Sequence, residues 1–593
     1  MSCLKGAPVR EQHDIHLSDE QRDVRDAGDR FLLVLASAGS GKTEVVAQRV
    51  ERLLAEESGF RVLALSYTRR AAAELRDRFL ARLGDDSRRA DADTIHGFAQ
   101  GLLLRYGTWL GLPNDPVVVV DDADRIELLE EWRAAAGESP IQNARDALLD
   151  LDAARSRGAD HPLAASWDMA LADAGALDYE SMLAKATELL HLPAVGGLVG
   201  RLYRHVIVDE AQNLTASQYR LLRQLLLASA DTANAVFVGD DKQSIVGFAG
   251  ASPEHMHTFA REFSARTISL TKNFRSATAV VRLGDRIALA LGEPESPVQS
   301  YAAPGQVSHL EIDDEAGEAN AVLVWVQNQL AHGLPPQALA PGEDQTVRDR
   351  EIAILGRTAA SLRACAAAFE SAGIAISRAT HAEDWLGSAT AKAAWLLATY
   401  RPGSEISARR LRRQLGVDST SWGSIIETLH PEGDALLLRE FARPMEPQEF
   451  VDRIGAIETD DVDFTQDQEE IDAVWRNFCD QASSSDRAWS QFELHVARWQ
   501  RGDESEIGVR LHTVHKAQGR EYRSVAVIGL NDGQFPDFRA TTAEEQEAEL
   551  RAFYVAVTRP SRVLLLTRPR TVQTRRGVWQ REPSPFLSFV QSA

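Results

Sequence analysis

Residues 31–46 read Phe31-Leu-Leu-Val-Leu-Ala36-Ser-Ala-Gly39-Ser-Gly41-Lys42-Thr43-Glu44-Val-Val46. The opening run is short and apolar, the pattern of a buried parallel strand, and the residues from Glu44 onward read as the start of a helix. Between them Ala36, Ser37, Ala38, Gly39, Ser40, Gly41, Lys42 and Thr43 match the phosphate-binding loop, except that Ala36 stands at its first glycine. Small residues let backbone N–H groups wrap phosphate oxygens, and the following helix N-terminus adds a favourable dipole. Lys42 then reaches the β- and γ-phosphates, and the Thr43 hydroxyl can ligate Mg2+. The alternative is a glycine-rich turn with a chance lysine. The strand before and the helix after favour ATP binding, without saying what the ATP is for.

Two further strands supply the rest of such a site. Val206-Ile-Val-Asp209-Glu210 ends in paired acids, and carboxylates at a strand's end beside a phosphate loop divide the work. Asp209 is assigned to the metal shell and Glu210 to general-base or water-positioning work. An isolated Asp-Glu pair commonly just faces solvent; here it follows a phosphate loop and precedes Ala211-Gln212. Val236-Phe-Val-Gly239 runs into Asp240-Asp-Lys242-Gln243 and on to Phe248. The Gln243 amide can report a γ-phosphate, and the Phe248 ring can take a stacked base, although a phenylalanine is more often core.

The chain has 593 residues, 44% hydrophobic and 26% charged, the composition of a soluble globular protein too long for one core. Its opening, Met1 to His16, lacks the apolar stretch of a signal peptide, and runs such as Leu221–Leu227 fall short of the ~20 residues of a membrane span. Cys3, Cys365 and Cys479 are scattered, which suits a reducing cytoplasm and makes neither a disulfide framework nor a metal cluster. Net charge is −22, from 65 basic and 87 acidic side chains. That does not exclude a nucleic-acid partner, because binding depends on where the positive charge lies. The acidic runs Glu458–Asp472 and Glu544–Glu549 read as solvated faces. The Arg409–Arg413 cluster reads as a solvated helix face or as a contact for a duplex backbone.

Taken in order, these segments resemble the UvrD/Rep branch of the superfamily 1 helicases along most of the chain. The resemblance implies that Gln21, upstream of the phosphate loop, reads adenine. It makes Tyr67, Thr68 and Arg69, in Leu63-Ala-Leu-Ser-Tyr67-Thr68-Arg69-Arg70, a DNA-contacting motif, with His96 of Thr94-Ile-His96-Gly-Phe98 in the next. In Leu270-Thr-Lys-Asn273-Phe274-Arg275-Ser276 it gives Phe274 the adenine face and Arg275 the γ-phosphate. In Leu511-His-Thr513-Val-His515-Lys-Ala-Gln518-Gly519-Arg-Glu521 it gives Thr513 and His515 to DNA and Glu521 to the ribose. Arg357, at the end of Ile352-Ala-Ile-Leu-Gly-Arg357, matches a DNA-contact arginine or is a solvated strand end. Arg559, closing Tyr554-Val-Ala-Val-Thr558-Arg559, is the second arginine finger. His96 and His515 have no metal-ligand company. The sequence departs from the family's pattern at four places. Asn213 replaces an aspartate, Val246 a tyrosine, Ala249 an arginine, and Gln518 a frequent lysine, although some relatives carry glutamine there. The change at Ala249 reads as tolerated drift or as altered coupling between DNA and ATP site.

The implied fold is α/β: two RecA-like lobes with parallel sheets, each carrying a mainly helical insertion. Residues 1–98 and 190–274 are expected in the first lobe, 99–189 in its insertion, 275–378 and 507–593 in the second lobe, and 379–506 in the second insertion. With only a short tail after Arg559, no fused nuclease is expected. The implied activity is ATP- and Mg2+-dependent 3′-to-5′ movement on single-stranded DNA and unwinding at single-strand/duplex junctions, in repair, replication restart or recombination. The competing reading is a DNA-stimulated ATPase subunit that regulates a separate nuclease, as in antiphage defence complexes. Neither involves a membrane.

Overall fold

The computed structural model describes residues 17–229, 232–292, 303–377, 386, 388–401, 404–415, 438, 440–459, 461–481, 487–499, 508–574 and 577–591. Strands β1 (Phe31–Ala36), β2 (Arg61–Ser66) and β3 (Ala90–Thr94) come first. A helical stretch follows, carrying only the two-residue parallel ribbon of β4 (Val117–Val118) and β5 (Ala176–Leu177), and then β6 (Tyr203–Asp209), β7 (Asn234–Gly239) and β8 (Arg266–Leu270). The six long strands form one parallel sheet in the order β3-β2-β6-β7-β1-β8. Strand β1 is interior, with Leu33 opposite Phe237 on one side and Thr267 on the other. A strand covered on both faces must be apolar at every position, which is why residues 31–36 read as an unbroken run.

Successive residues of β1 serve opposite cores. Leu32 and Val34 pack with Val45, Val46 and Val50 of the helix Lys42–Glu56 and with Val24 of the helix Asp19–Asp26. Leu33 packs with Phe237 and Phe259 and with the helices Ile95–Tyr106 and Tyr179–His191. The Phe237 and Phe259 rings stack at 3.8 Å between centroids. Arg49, 3% exposed, donates to the carbonyls of Val24 (2.7 Å) and Ala27 (2.9 Å), which pins the end of the Asp19–Asp26 helix to the sheet.

The second sheet contains β9 (Gln306–Asp314), β10 (Ile352–Gly356), β11 (Ile376–Ser377), β12 (Val509–Thr513), β13 (Tyr522–Val527), β14 (Pro560–Thr574) and β15 (Gly577–Gln580). Its order is β11-β12-β10-β13-β14-β15, with β9 also on β14. All pairings are parallel except β14–β15, an antiparallel edge hairpin that the all-parallel expectation did not include. The chain is α/β with two parallel-strand lobes. No helix among the described residues is long and apolar enough to cross a membrane.

Between β11 and β12 lies a helical unit built around Trp395, Phe450, Trp475, Trp489 and Phe492. It docks on the helical stretch between β3 and β6. Ile406 enters the core around Trp167, and Asp124, whose side chain is 3% exposed, accepts from Arg410 (2.8 Å) and Arg413 (2.7 Å). Arg413 also pairs with Glu127, Arg409 with Glu131, and Arg401 with Asp115. Arg409, Arg410 and Arg413 are therefore neither a solvated face nor held out for a duplex, because the opposite helix presents acids at matching positions, whereas Arg412 is exposed. Removing one partner of such a desolvated pair costs about 3–5 kcal/mol, since the other charge stays buried. The acidic runs are largely solvated, as read, with one buried exception in each. Glu549 is 5% exposed and Asp467 4%, and Asp467 accepts the Ser388 amide at 2.7 Å.

Candidate functional site

Ala36 explains its own departure from glycine. It is the last residue of β1, paired with Leu270, so its backbone is extended and needs no glycine. The left-handed positions come later, at Gly39 (φ 75°) and Gly41 (φ 78°). A Cβ on Gly39 would lie 2.8 Å from Asn273 Nδ2, and one on Gly41 2.9 Å from Gln21 Nε2. Those two side chains brace the loop from opposite ends: Asn273 donates to Ala38 O at 2.8 Å and Gln21 to Ser40 O at 2.9 Å. Gln21 is itself fixed by a capping box with Ser18. Ser40 Oγ is buried without a hydrogen-bond partner among the described residues, an unusual state in a folded core and an ordinary one inside a phosphate cradle.

Across the cavity, Lys42 Nζ lies 3.3 Å from Glu210 Oε1. Burial acts against the Lys42 charge, but Glu210, Asp209 and Asp240 together raise its pKa above the ordinary lysine value. Burial would also push Glu210 up, yet Lys42 and the Gln212 amide hold it below the usual carboxylate range. Glu210 sits at φ 54°, a left-handed conformation that costs a non-glycine residue of order 1 kcal/mol or more and is found mainly at functional sites. Asp209 moves the other way: burial and the Glu210 charge push it up to about 6. A buried carboxylate short of positive charge, in one cavity with the Thr43 hydroxyl, fits a divalent cation. Among the described residues no cluster of three His, Cys, Asp or Glu side chains can hold a metal alone. That suits Mg2+, which takes one or two carboxylates and completes its shell with phosphate oxygens and water.

The second lobe closes this cavity of about 390 Å³, lined by Ala38–Thr43, Asp209, Glu210 and Gln243 from one side and Arg275, Glu521 and Arg559 from the other. Each cation is already engaged. Arg275 pairs with Glu521 and donates to Thr558 O at 3.0 Å. Arg559, 2% exposed, donates to Gln243 Oε1 at 2.8 Å. Burial, and then the neighbouring Arg275, pull Arg559 down to about 10, outweighing the nearby Glu521 and Glu210 carboxylates. Phe274 is 40% exposed, and its amide donates to Gly39 O at 2.9 Å.

Gln212, which the sequence reading names beside the acidic pair but gives no role, is 0% exposed. Its Nε2 donates to Glu210 and its Oε1 accepts the Asp240 amide at 3.1 Å. One buried amide thus ties the acidic strand end to the turn carrying Gln243. The only sequence signal is an amide two residues past an acidic pair.

The residues expected to meet DNA are not all alike. Tyr67 and Thr68 line the same cavity, and Thr68 Oγ1 caps the Arg69–Leu83 helix by accepting from Ala71 N at 3.2 Å. Arg69 reaches His495 Nδ1 of the second helical unit at 2.7 Å. His96 packs edge-on against Tyr179. Thr513 ends β12, and His515 borders the cavity. Burial, then Arg357, pull His515 down to about 4, so its imidazole is neutral at physiological pH. Arg357 is clamped by Glu549, with both carboxylate oxygens 2.9 Å from Nε. Phe248 lies in the turn Gly247–Ala249, and its side chain is outside the described residues.

The UvrD/REP helicase N-terminal domain matches residues 17–156 and 156–264, and the UvrD-like helicase C-terminal domain matches residues 489–570. Together they cover more than half of the chain. The sequence is 26% identical to DNA helicase II of Escherichia coli K12 over 96% of this chain and 87% of that protein. It is 28% identical to the ATP-dependent DNA helicase UvrD2 of Mycobacterium bovis, over 97% and 81%. It is 23% identical to the ATP-dependent DNA helicase PcrA of Staphylococcus aureus Mu50, over 97% and 86%.

Proposed function

The chain belongs to the UvrD-like helicase family, and from that premise we propose that this ATP-dependent DNA helicase moves 3′ to 5′ along single-stranded DNA. It separates strands at single-strand/duplex junctions in the cytoplasm, serving repair, replication restart or recombination. The observation that carries the reading is the bond from Arg559, on the second lobe, to Gln243, on the first, inside a cavity that also holds Lys42 and Glu210. Polarity rests on the family resemblance alone.

The proposed cycle uses these parked contacts. A triphosphate entering the loop competes with Glu210 for Lys42, with Glu521 for Arg275 and with Gln243 for Arg559. Glu210, released from Lys42, orients the attacking water and takes its proton. Thr43 and Asp209 would hold Mg2+, which when bound neutralises charge on the β- and γ-phosphates. Because the arginines and the phosphate loop stand on different lobes, the nucleotide favours the closed arrangement and hydrolysis releases it. A strand gripped on both lobes is then moved by each closure, and stacking contacts suit this because they are nearly indifferent to sequence.

A second reading, a DNA-stimulated ATPase serving a separate nuclease, draws on the turn after Gln243. There the buried Val246 and the half-buried Ala249 supply neither ring nor guanidinium. Strand displacement separates the two. The isolated protein is expected to unwind a 3′-tailed duplex with ATP and leave a 5′-tailed one intact. Hydrolysis without displacement favours the second reading, and displacement from the 5′ tail alone overturns the polarity.

A further inference from the structure

Two of the four departures from the family's pattern touch each other across the lobes. Gln518 stands in the turn after β12, where Ala517 N donates to Thr513 O at 3.1 Å and fixes the turn to the second sheet. Its Nε2 lies 3.2 Å from Asn213 Oδ1 and 2.7 Å from the backbone carbonyl of Gln243, both on the first lobe. Asn213 is 2% exposed and Gln243 3%.

Gln243 is held at each of its polar groups. Its amide donates to Asp240 O at 2.9 Å and its Nε2 to Asp240 Oδ2 at 2.7 Å. Its Oε1 accepts from Arg559 and its carbonyl from Gln518. The side-chain contact with Arg559 is one that a nucleotide competes for. The backbone contact with Gln518 lies outside that exchange. A donor suits position 518, since the Gln243 carbonyl facing it can only accept.

We propose that Gln518 is a positioning residue: from the second lobe, and steadied by Asn213, it fixes the backbone of the turn that presents Gln243 to the γ-phosphate. Lobe movement thereby sets where the Gln243 amide stands, independently of the arginine fingers. The inference rests on Gln243 acting as the phosphate sensor.

The test is single-stranded-DNA-stimulated hydrolysis by the full chain, with kcat and KM for ATP separated and the melting temperature recorded for each variant. Gln518→Glu keeps the shape but turns the donor into an acceptor. Gln518→Lys keeps a donor, and Gln518→Ala removes the group. The Glu and Ala variants are expected to lose about five- to tenfold in kcat, with KM changed less than about threefold and melting unchanged. The Lys variant is expected to stay within about threefold of wild type. In a Gln243→Ala background, Gln518→Ala is expected to cost no more than about twofold, because the two act through one element. Wild-type kcat in Gln518→Glu, or additive losses in the double variant, overturns the role of Gln518 and leaves the sensor reading standing. Wild-type kcat in Gln243→Ala overturns both.

Discussion

Glu210→Gln protein is expected to bind ATP and to leave it uncleaved. The substitution is isosteric and the site only partly buried, so the cost to folding is small, and the left-handed backbone at this position is inherited unchanged. What disappears is the base. Glu210 is held ionised by Lys42 and Gln212, so it is ready to accept a proton at working pH. An amide cannot accept one. General-base catalysis is worth about 10²- to 10⁴-fold, and turnover should fall by that factor or more. Binding should persist or tighten, because Lys42 loses the carboxylate that competes with phosphate for it. Single-turnover hydrolysis beside equilibrium binding of a labelled ATP analogue separates the two effects. A wild-type rate removes Glu210 from the chemistry.

The loss in Arg559→Ala is expected to be as large, for a different reason. Phosphoryl transfer asks a protein mainly for position and charge, and an arginine finger contributes about 10³- to 10⁵-fold. Arg559 donates to Val555 O, Arg520 O and Gln243 Oε1 in the parked state, so its planar fork is already oriented. Arg559→Lys should recover little, because a single ammonium cannot replace that fork. ATP affinity should change far less than kcat, since the phosphate loop stays intact. The check is DNA-stimulated hydrolysis under saturating ATP. More than about one-tenth of wild-type kcat, where a finger's loss predicts a thousandfold fall or more, means the residue is not a finger.

How far the sequence reaches depends on the range of the contact. Residues 31–46 announce strand, loop and helix because the determinants are local: an apolar run, small residues, a lysine at the helix start. Asp209-Glu210 and Gln243 are legible for the same reason, each following a buried strand. Even the missing glycine at Ala36 becomes intelligible once that residue is seen to finish β1. Long-range pairing is not legible. The Arg409–Arg413 run and Glu549 look solvated in the sequence, and their fate depends on which acids or bases the opposite element presents. The role of Gln212 is hidden for a similar reason, since it exists only because Asp240 comes to lie beside it. The contact between Asn213 and Gln518 makes one seam of two departures that look unrelated along the chain.

The bracing of the phosphate loop has a consequence for how the molecule is made. Strand β1 takes both of its neighbours, β7 and β8, from far downstream, and Asn273, which holds Ala38 O, comes later still. During synthesis from the N-terminus the nascent loop therefore emerges with one prop, Gln21, and waits for the other. The intervening helical unit has to be accommodated before the sheet can close around it. Contacts so distant along the chain are entropically expensive and slow to form. The fully braced loop is thus unavailable to the growing polypeptide until Asn273 has been made.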